Sequence, residues 1–327
     1  MCIRDSLLGA SDDDNLFQWP SPELERHLDA MKAVGANYVR NTMSDRKDKG
    51  FELYPFRRRD DGKYDLERWN DAYWKRFERF MAETAKRDII VQIEVWDRFD
   101  YSRDNWPGHP YNPKNNVNYT AEESGLPTVV ATHPTRTENS FFRSVPRAEN
   151  LPVVLKYQER FVDRLLQSSL PYDHVLYCMD NETSVTPEWG AYWSRYVLAA
   201  AARLGKRVHT TEMWDPWDLS HAMHRATIDH PEIYSFIDVS QNNHQKGQVH
   251  YDNALRVYRC IARKPRPMNS VKVYGADGGR FGGTRDGVER FWRNIFCGFA
   301  AVRFHRPPSG LGLGDLAQRM IRAARQS

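Results

Sequence analysis

The sequence predicts an α/β protein folded as a single (β/α)8 barrel. Short apolar segments alternate with amphipathic helical segments along the whole chain, and this alternation is typical of successive βα units around a parallel sheet. A length of 327 residues fits one such barrel. A hydrophobic content of 40% supplies enough apolar side chains for one large core.

Eight segments have the length and apolar character of barrel strands, and they run from Leu7 to Ser11, Tyr38 to Thr42, Ile89 to Glu94, His174 to Met179, Arg207 to Glu212, Ser235 to Ser240, Val271 to Gly275 and Ala300 to Phe304. The segments between them place apolar residues at a period near 3.6, which indicates helices. An open doubly wound sheet is the alternative fold. It usually has a glycine-rich phosphate turn after its first strand, and Gly9-Ala10-Ser11-Asp12 is not one.

One long segment, from about Asp97 to Pro152, follows the third predicted strand. It exceeds the ~15 residues beyond which a loop in a compact domain is usually functional or disordered. It contains six aromatic residues that a disordered linker would lack, namely Tyr101, Trp106, Tyr111, Tyr119, Phe141 and Phe142. We therefore expect an ordered wall over the mouth of the barrel.

Composition excludes several classes of protein. No segment has the roughly 20 consecutive apolar residues of a membrane-spanning helix, and a net charge of +4 with interleaved acids and bases does not indicate nucleic-acid binding. The four cysteines have no CxxC spacing and the histidines are dispersed, so we expect no disulfide framework, metal or other cofactor. The first residues lack the features of a secretory signal. We expect one domain over residues 1–327, truncated at its N-terminus, and the sequence gives no oligomeric state.

Active sites of (β/α)8 barrels lie at the C-terminal ends of the strands. Polar residues are abundant at these positions: Asp12 to Asn15, Arg40, Asn41, Glu94, Asp97, Asp180, Asn181, Glu182, Glu212, Asp215, Gln241 to His244, Asp277, Arg303 and His305.

The Asn181-Glu182 pair that closes the fourth strand resembles the clan A glycoside hydrolases, which are cellulase-like barrels, and Arg40 matches the arginine on their second strand. The resemblance implies that Glu182 is the acid/base, that Asn181 orients a substrate hydroxyl, and that a carboxylate after strand seven is the nucleophile. It also implies an exported enzyme, either secreted or periplasmic. For protonation before attack, neighbouring groups would raise the pKa of Glu182.

Strand seven departs from that pattern because the expected Glu is absent. The chain reads Val273-Tyr274-Gly275-Ala276-Asp277 there, so Asp277 is the candidate nucleophile, and a turn-forming Asp before Gly is the alternative interpretation. Glu212 on strand five is the competing carboxylate, with a supporting role beside a catalytic group as its alternative.

Sugar binding needs flat apolar faces and polar groups that fix hydroxyl orientation. Trp96 and Trp214, with Trp106 and Trp217, are candidate platforms, although single tryptophans more often serve packing. Polar candidates for substrate binding are Arg40, Asp97, Asn181, Asn242, His244, Arg303 and His305. The basic groups among them could accept an anionic sugar, but arginines in barrel mouths also hold catalytic carboxylates.

These residues together predict a glycoside hydrolase that cleaves a poly- or oligosaccharide by a retaining, two-carboxylate mechanism. The missing glutamate on strand seven leaves a catalytically inactive carbohydrate-binding barrel as an alternative. A phosphate-substrate lyase or aldolase is a third hypothesis, because Gly278-Gly279 together with Gly282-Gly283 could cradle a phosphate with backbone N–H groups. We expect no lysine at a strand end for the Schiff-base chemistry that often accompanies such a phosphate site.

Overall fold

The structure, a computed structural model, describes residues 6–136, 138–277 and 281–327. Its strands in chain order are β1 (Leu7–Ala10), β2 (Tyr38–Thr42), β3 (Phe56–Arg58), β4 (Tyr64–Trp69), β5 (Ile90–Asp97), β6 (Val175–Asn181), β7 (His209–Thr211), β8 (Ile237–Asp238), β9 (Met268–Val273) and β10 (Ala301–Phe304). Strands β3 and β4 form an antiparallel hairpin, and the other eight pair in parallel. The eight predicted barrel strands are confirmed.

A helix follows each of the eight parallel strands. In chain order the helices are α1 (Glu23–Ala33), α2 (Asp71–Ala85), α3 (Ala121–Ser124), α4 (Pro152–Ser169), α5 (Pro187–Arg203), α6 (Arg225–Ile228), α7 (Gly247–Cys260), α8 (Thr284–Phe296) and α9 (Asp315–Gln326), of which α3 belongs to the long segment after β5. The periodic apolar residues of α2 face the core as predicted, since Tyr73, Phe77 and Phe80 are fully buried. None of the helices in the described ranges has the length and apolar character needed to cross a membrane.

Backbone hydrogen bonds join the two four-stranded sheets, which have the strand orders β1-β10-β9-β8 and β2-β5-β6-β7. At one seam Asn37 N donates to Leu8 O over 2.8 Å, and at the other Ser235 N donates to Thr210 O over 3.1 Å. These contacts close the parallel strands into the predicted (β/α)8 barrel. The carboxyl ends of all eight strands therefore meet at one face of the molecule.

Two differences from the predicted strands have physical causes. The β3–β4 hairpin is charged and mostly exposed, so it lacks an apolar signal, and it forms around the Asp61-Gly62 turn, where Gly62 has a φ of +82°. Strand β9 begins at Met268 and ends at Val273, earlier than expected, and the polar Asn269 and Ser270 conceal its start in the sequence. Asn269 nevertheless faces the barrel interior, where its Nδ2 donates to Tyr38 Oη over 3.0 Å and to Gln92 Oε1 over 2.6 Å.

The long segment after β5 is an ordered wall, as expected. All six of its aromatic residues named above are buried, and Tyr101 stacks on Phe141 with ring centroids 4.1 Å apart. Short 3-10 helices at Arg98–Tyr101, Arg103–Gly108, Pro134–Arg136 and Ser140–Arg143 give it local structure. These packed aromatic side chains thus fix the wall beside the barrel mouth.

Gly9 permits the close approach of β1 to β2. A Cβ added there would lie 2.3 Å from Tyr38 O, so Gly9→Ala must push the strands apart, and we expect the free energy of unfolding to fall by about 1–3 kcal/mol. Gly108→Ala is the control, because its added Cβ would meet Tyr54 Oη at an ordinary 3.5 Å. Urea unfolding measures both, and equal stability of the two variants would contradict this account of the seam.

Candidate active site

A cavity of about 570 Å³ opens at the carboxyl ends of the barrel strands. The charged and polar side chains that line its deep part come from separate strand ends: Asp14, Arg40, Asn181, Glu182, Asp215 and Lys272. Phe99, Arg103, His133 and Thr135 of the wall form one side of it. The cavity therefore lies where the fold predicts an active site.

A buried guanidinium organises the floor of this cavity. Arg40 on β2 donates from Nε and Nη2 to the two carboxylate oxygens of Glu94 over 2.7 Å, and its Nη1 lies 2.8 Å from Asp14 Oδ2. Arg40 Nη2 also donates to Asn181 Oδ1 over 2.8 Å. A bidentate pair of this kind fixes the guanidinium plane. The orientation of Asn181 is fixed in turn.

Glu182 forms an ion pair with Lys272 inside the cavity. Lys272 Nζ donates to Glu182 Oε1 over 2.5 Å and to Asn181 Oδ1 over 2.7 Å. Burial by itself would raise the pKa of Glu182, but the ammonium of Lys272 outweighs it and lowers that pKa below its usual value. This corrects the expectation that neighbouring groups raise the pKa of Glu182. Burial opposes the charge of Lys272 as well, yet Glu182 raises the pKa of Lys272 above its ordinary value.

Asp215 is a further carboxylate of the cavity, which Asp14 and Glu182 also line. Backbone hydrogen bonds join the turns after β6 and β7, from Thr183 N to Met213 O over 2.7 Å and from Asp215 N to Thr183 O over 2.9 Å. Asp215 consequently lies beside Glu182. Burial, followed by the negative charge of Glu182, raises the pKa of Asp215 to about 6. The cavity thus contains two acids whose pKa values are displaced in opposite directions.

Asp277 is not part of this cavity, which corrects the expectation that it faces Glu182. The side chain is exposed, and its Oδ1 accepts hydrogen bonds from Thr284 Oγ1 over 2.7 Å and Thr284 N over 3.3 Å. It therefore supports the first turn of α8, close to the turn-forming alternative. The cause is the earlier end of β9, which places Lys272 in the cavity and Asp277 beyond it. Of the predicted phosphate cradle, Gly278 and Gly279 lie outside the described residues, and Gly283 N already donates to Asp286 Oδ2 over 2.9 Å.

Glu212 is fully buried and does not line the cavity, so it is not placed to contact a substrate. Its Oε1 accepts from Asp180 N over 3.1 Å, Thr183 Oγ1 over 2.5 Å and Met213 N over 3.2 Å. These donors flank Glu182, whose backbone has a φ of +58°, a conformation that is uncommon outside glycine. Glu212 therefore holds the turn that carries Glu182, which is the supporting role considered for it.

Among the predicted substrate-binding residues, Arg40, Asn181, His244 and His305 line the cavity. Trp96 and Trp214 do not, because both are buried, with exposures of 2% and 1%. Trp96 packs instead against the aromatic cluster under the wall, 5.2 Å from Phe161 between ring centroids. Of the four tryptophans considered as platforms, Trp217 is the one that lines the cavity, and it is 55% exposed.

Three further predicted binding residues are buried supports behind the cavity surface. Asp97 accepts a hydrogen bond from Asn181 Nδ2 over 3.1 Å, and Arg303 donates to Asp14 over 2.9 Å. Asn242 donates to the carbonyl of His250 over 2.8 Å. These contacts correct the assignment of Asp97, Asn242 and Arg303 to direct substrate binding.

Several cavity residues were not selected as candidates from the sequence, and Lys272 and Asp215 are two of them. Lys272 lies near the end of β9, which corrects the statement that no lysine lies at a strand end, and its signal was a cation within the otherwise uncharged segment Met268–Val273. Asp215 was noted as a strand-end residue but not selected over Glu212. Strand periodicity alone does not reveal which of two nearby acids turns inward. In the described ranges, no three His, Cys, Asp or Glu side chains converge so that they could hold a metal ion.

Comparison with solved structures shows that the fold is shared. The chain is similar to the endo-1,4-beta-mannanase from Rhizomucor miehei, with 12% identity over 98% of this chain and 95% of that chain and a TM-score of 0.67. It is also similar to the endo-beta-1,4-mannanase from Thermotoga petrophila, with 10% identity over 100% of this chain and 78% of that chain and a TM-score of 0.61. Its similarity to endo-glycoceramidase II from Rhodococcus sp. has 14% identity over 97% of this chain and 78% of that chain, with a TM-score of 0.61. No protein-family model and no curated protein sequence matches the chain.

Substitution of Glu212 tests whether this residue holds the turn that carries Glu182. Glu212→Ala leaves three donors without an acceptor, at about 1–3 kcal/mol for each buried orphan, so we expect a large loss of stability at every pH. Burial raises the pKa of Glu212 to about 8, above that of an unfolded chain. The folded state therefore keeps a proton that the unfolded state releases, and stability contributed by this group falls as pH rises toward 8.

Glu212→Gln is the matched variant, since its amide oxygen can accept the same bonds without titrating. We expect it to remain folded and to lose the part of the pH dependence of stability that Glu212 causes. Urea unfolding between pH 5 and pH 8 measures both effects. Equal destabilisation by Ala and Gln would contradict the role given to Oε1.

Proposed function

We propose that this protein is a glycoside hydrolase that acts on a poly- or oligosaccharide, with Glu182 and Asp215 as its two carboxylates. The observation that carries the proposal is that these acids share one barrel-mouth cavity while their pKa values are driven apart, Glu182 downward by Lys272 and Asp215 upward by burial. Such divergence assigns an acid and a base within one site. The fold shared with two mannanases and with an endo-glycoceramidase supports the same class of reaction.

The charge states distribute the chemical roles. Protonated Asp215 donates its proton to the glycosidic oxygen while the carboxylate of Glu182 attacks the anomeric carbon, so that the carbon–oxygen bond breaks and a glycosyl ester forms on Glu182. A water molecule then attacks the anomeric carbon, its proton passes to the Asp215 carboxylate, and the bond from that carbon to Glu182 breaks to release the sugar. Asn181, held by Arg40 and Lys272, is positioned to bind a sugar hydroxyl. Glu182 is thus the proposed nucleophile and Asp215 the proposed acid/base, whereas the resemblance implied that Glu182 is the acid/base.

A retaining outcome is consistent with the strand geometry. Glu182 and Asp215 follow neighbouring parallel strands whose turns are joined through Thr183, and neighbouring strands lie about 4.8 Å apart. Carboxyl groups about 5–5.5 Å apart favour retention, whereas wider pairs leave room for a water and favour inversion. Retention, like export of the enzyme, remains a prediction.

A carbohydrate-binding barrel without catalysis is the second candidate. The observation that favours it is Lys272, a cation on the strand where the resemblance implied a carboxylate, which engages the oxygen that would attack. Saccharide binding without product release would select this candidate. The lyase or aldolase hypothesis is not favoured, because the raised pKa of Lys272 keeps its amine protonated and unreactive toward a carbonyl.

Removing either carboxylate tests the hydrolase. We expect Glu182→Gln and Asp215→Asn each to lower kcat/KM at least about 100-fold, because each removes a group that transfers a proton or attacks in the transition state. Asp277→Asn is the control and should keep full activity, since Asp277 is exposed beside α8. Release of reducing ends from plant and algal polysaccharides is the measurement. Unchanged activity of the Glu182 variant would refute the assignment.

The pH profile provides an independent test. We expect kcat/KM to fall at high pH as Asp215 loses its proton near pH 6, and at low pH as Glu182 is protonated below its ordinary pKa. Lys272 lowers both pKa values, so Lys272→Met should move both limbs of the profile to higher pH. A profile that Lys272→Met leaves in place would show that other groups control the reaction.

A further inference from the structure

Positive charge exceeds negative charge on the walls of the cavity. Among the described residues that line it are five with a guanidinium or ammonium group, Arg40, Arg46, Arg103, Lys272 and Arg306, against three with a carboxylate, Asp14, Glu182 and Asp215. Substrate-sized clefts lined by one sign of charge concentrate ligands of the other sign. A neutral sugar carries no charge that this excess of positive charge could attract.

The inner cations are already engaged with protein carboxylates. Lys272 pairs with Glu182, and Arg46 lies 3.2 Å from Asp97. The single carboxylate of Asp14 is shared by Arg40, Arg303 and Arg306, at 2.8, 2.9 and 3.0 Å respectively. Arg306 is therefore only partly neutralised, and a third of its side chain is exposed.

Arg103 differs from these inner cations. It begins the 3-10 helix Arg103–Gly108 of the wall, its side chain is exposed, and it lines the cavity. Across the ranges that the structure describes, no carboxylate pairs with it. Its backbone has a φ of +48° and is anchored by a hydrogen bond from Arg103 N to Val130 O of 2.7 Å. Strained backbone that its surroundings maintain is concentrated at functional sites.

An aromatic surface accompanies this charge. Trp217 lines the same cavity with 55% of its surface exposed, which suits stacking against the apolar face of a sugar ring. We propose that the cavity selects an acidic saccharide, one that carries carboxylate or sulfate groups, and that Arg103 pairs with such a group while Trp217 stacks on the ring. The inference rests on the proposed carbohydrate substrate and specifies its class.

Two pairs of polymers test the proposal, each with one backbone in charged and uncharged form: polygalacturonate against its methyl ester, and a sulfated galactan against the desulfated galactan. Affinity electrophoresis and calorimetry measure binding at low and high salt. We expect at least one charged form to bind about 10-fold more tightly than its uncharged partner, as for a charge-assisted hydrogen bond. The pair that shows the preference distinguishes carboxylate from sulfate.

Arg103→Ala should remove most of that preference without changing affinity for the uncharged form, and Arg103→Lys should restore part of it through charge alone. Arg319→Ala is the control, because it deletes the same charge from the exposed surface of α9 and should leave the preference intact. Equal binding of charged and uncharged forms, binding of neither, or an equal loss for both forms in Arg103→Ala overturns the proposal.

Product release from the same four polymers separates this inference from the proposed function. Charge-selective binding that depends on Arg103, with no cleavage of any polymer, supports the inference and refutes the hydrolase. Cleavage of an uncharged polymer together with no preference for the charged forms supports the hydrolase and refutes the inference.

Discussion

The site depends on the burial of one guanidinium, that of Arg40. Transfer of an unpaired charge into a protein interior costs several kcal/mol, so Arg40 requires the carboxylates of Glu94 and Asp14 around it. The remaining hydrogen bond of this group goes to Asn181. Strand ends that are far apart in sequence are thereby fixed relative to one another before any ligand enters.

Asn181 connects this network to Glu182. Its Oδ1 accepts from both Arg40 and Lys272, and the Lys272 ammonium also contacts Glu182. Lys272 thus keeps Glu182 ionised despite its burial, and burial together with the charge of Glu182 raises the pKa of Asp215. Lys272, on the strand after which a carboxylate was expected, is compatible with the proposed two-carboxylate arrangement. It changes which acid holds the proton.

Much of the fold was predictable from local patterns. The order of strands and helices, and the aromatic wall after β5, followed from apolar periodicity and from the composition of one long segment. The start of β9 was not predictable in this way, because Asn269 is polar and its partners Tyr38 and Gln92 lie in other strands. Because the strand was predicted to end at Gly275 and not at Val273, Asp277 was selected as the nucleophile although it lies outside the cavity.

The sequence by itself determined the succession of βα units and the presence of Asn181-Glu182 at a strand end, because both depend on residues that are near neighbours in the chain. The tertiary structure alone decided which acid faces Glu182, which tryptophan reaches the cavity, and how each carboxylate is charged. Those properties arise from burial and from charges such as Lys272, 90 positions away from Glu182. Interactions over that separation leave no periodic trace in the sequence, since only chain closure into the barrel brings their partners together.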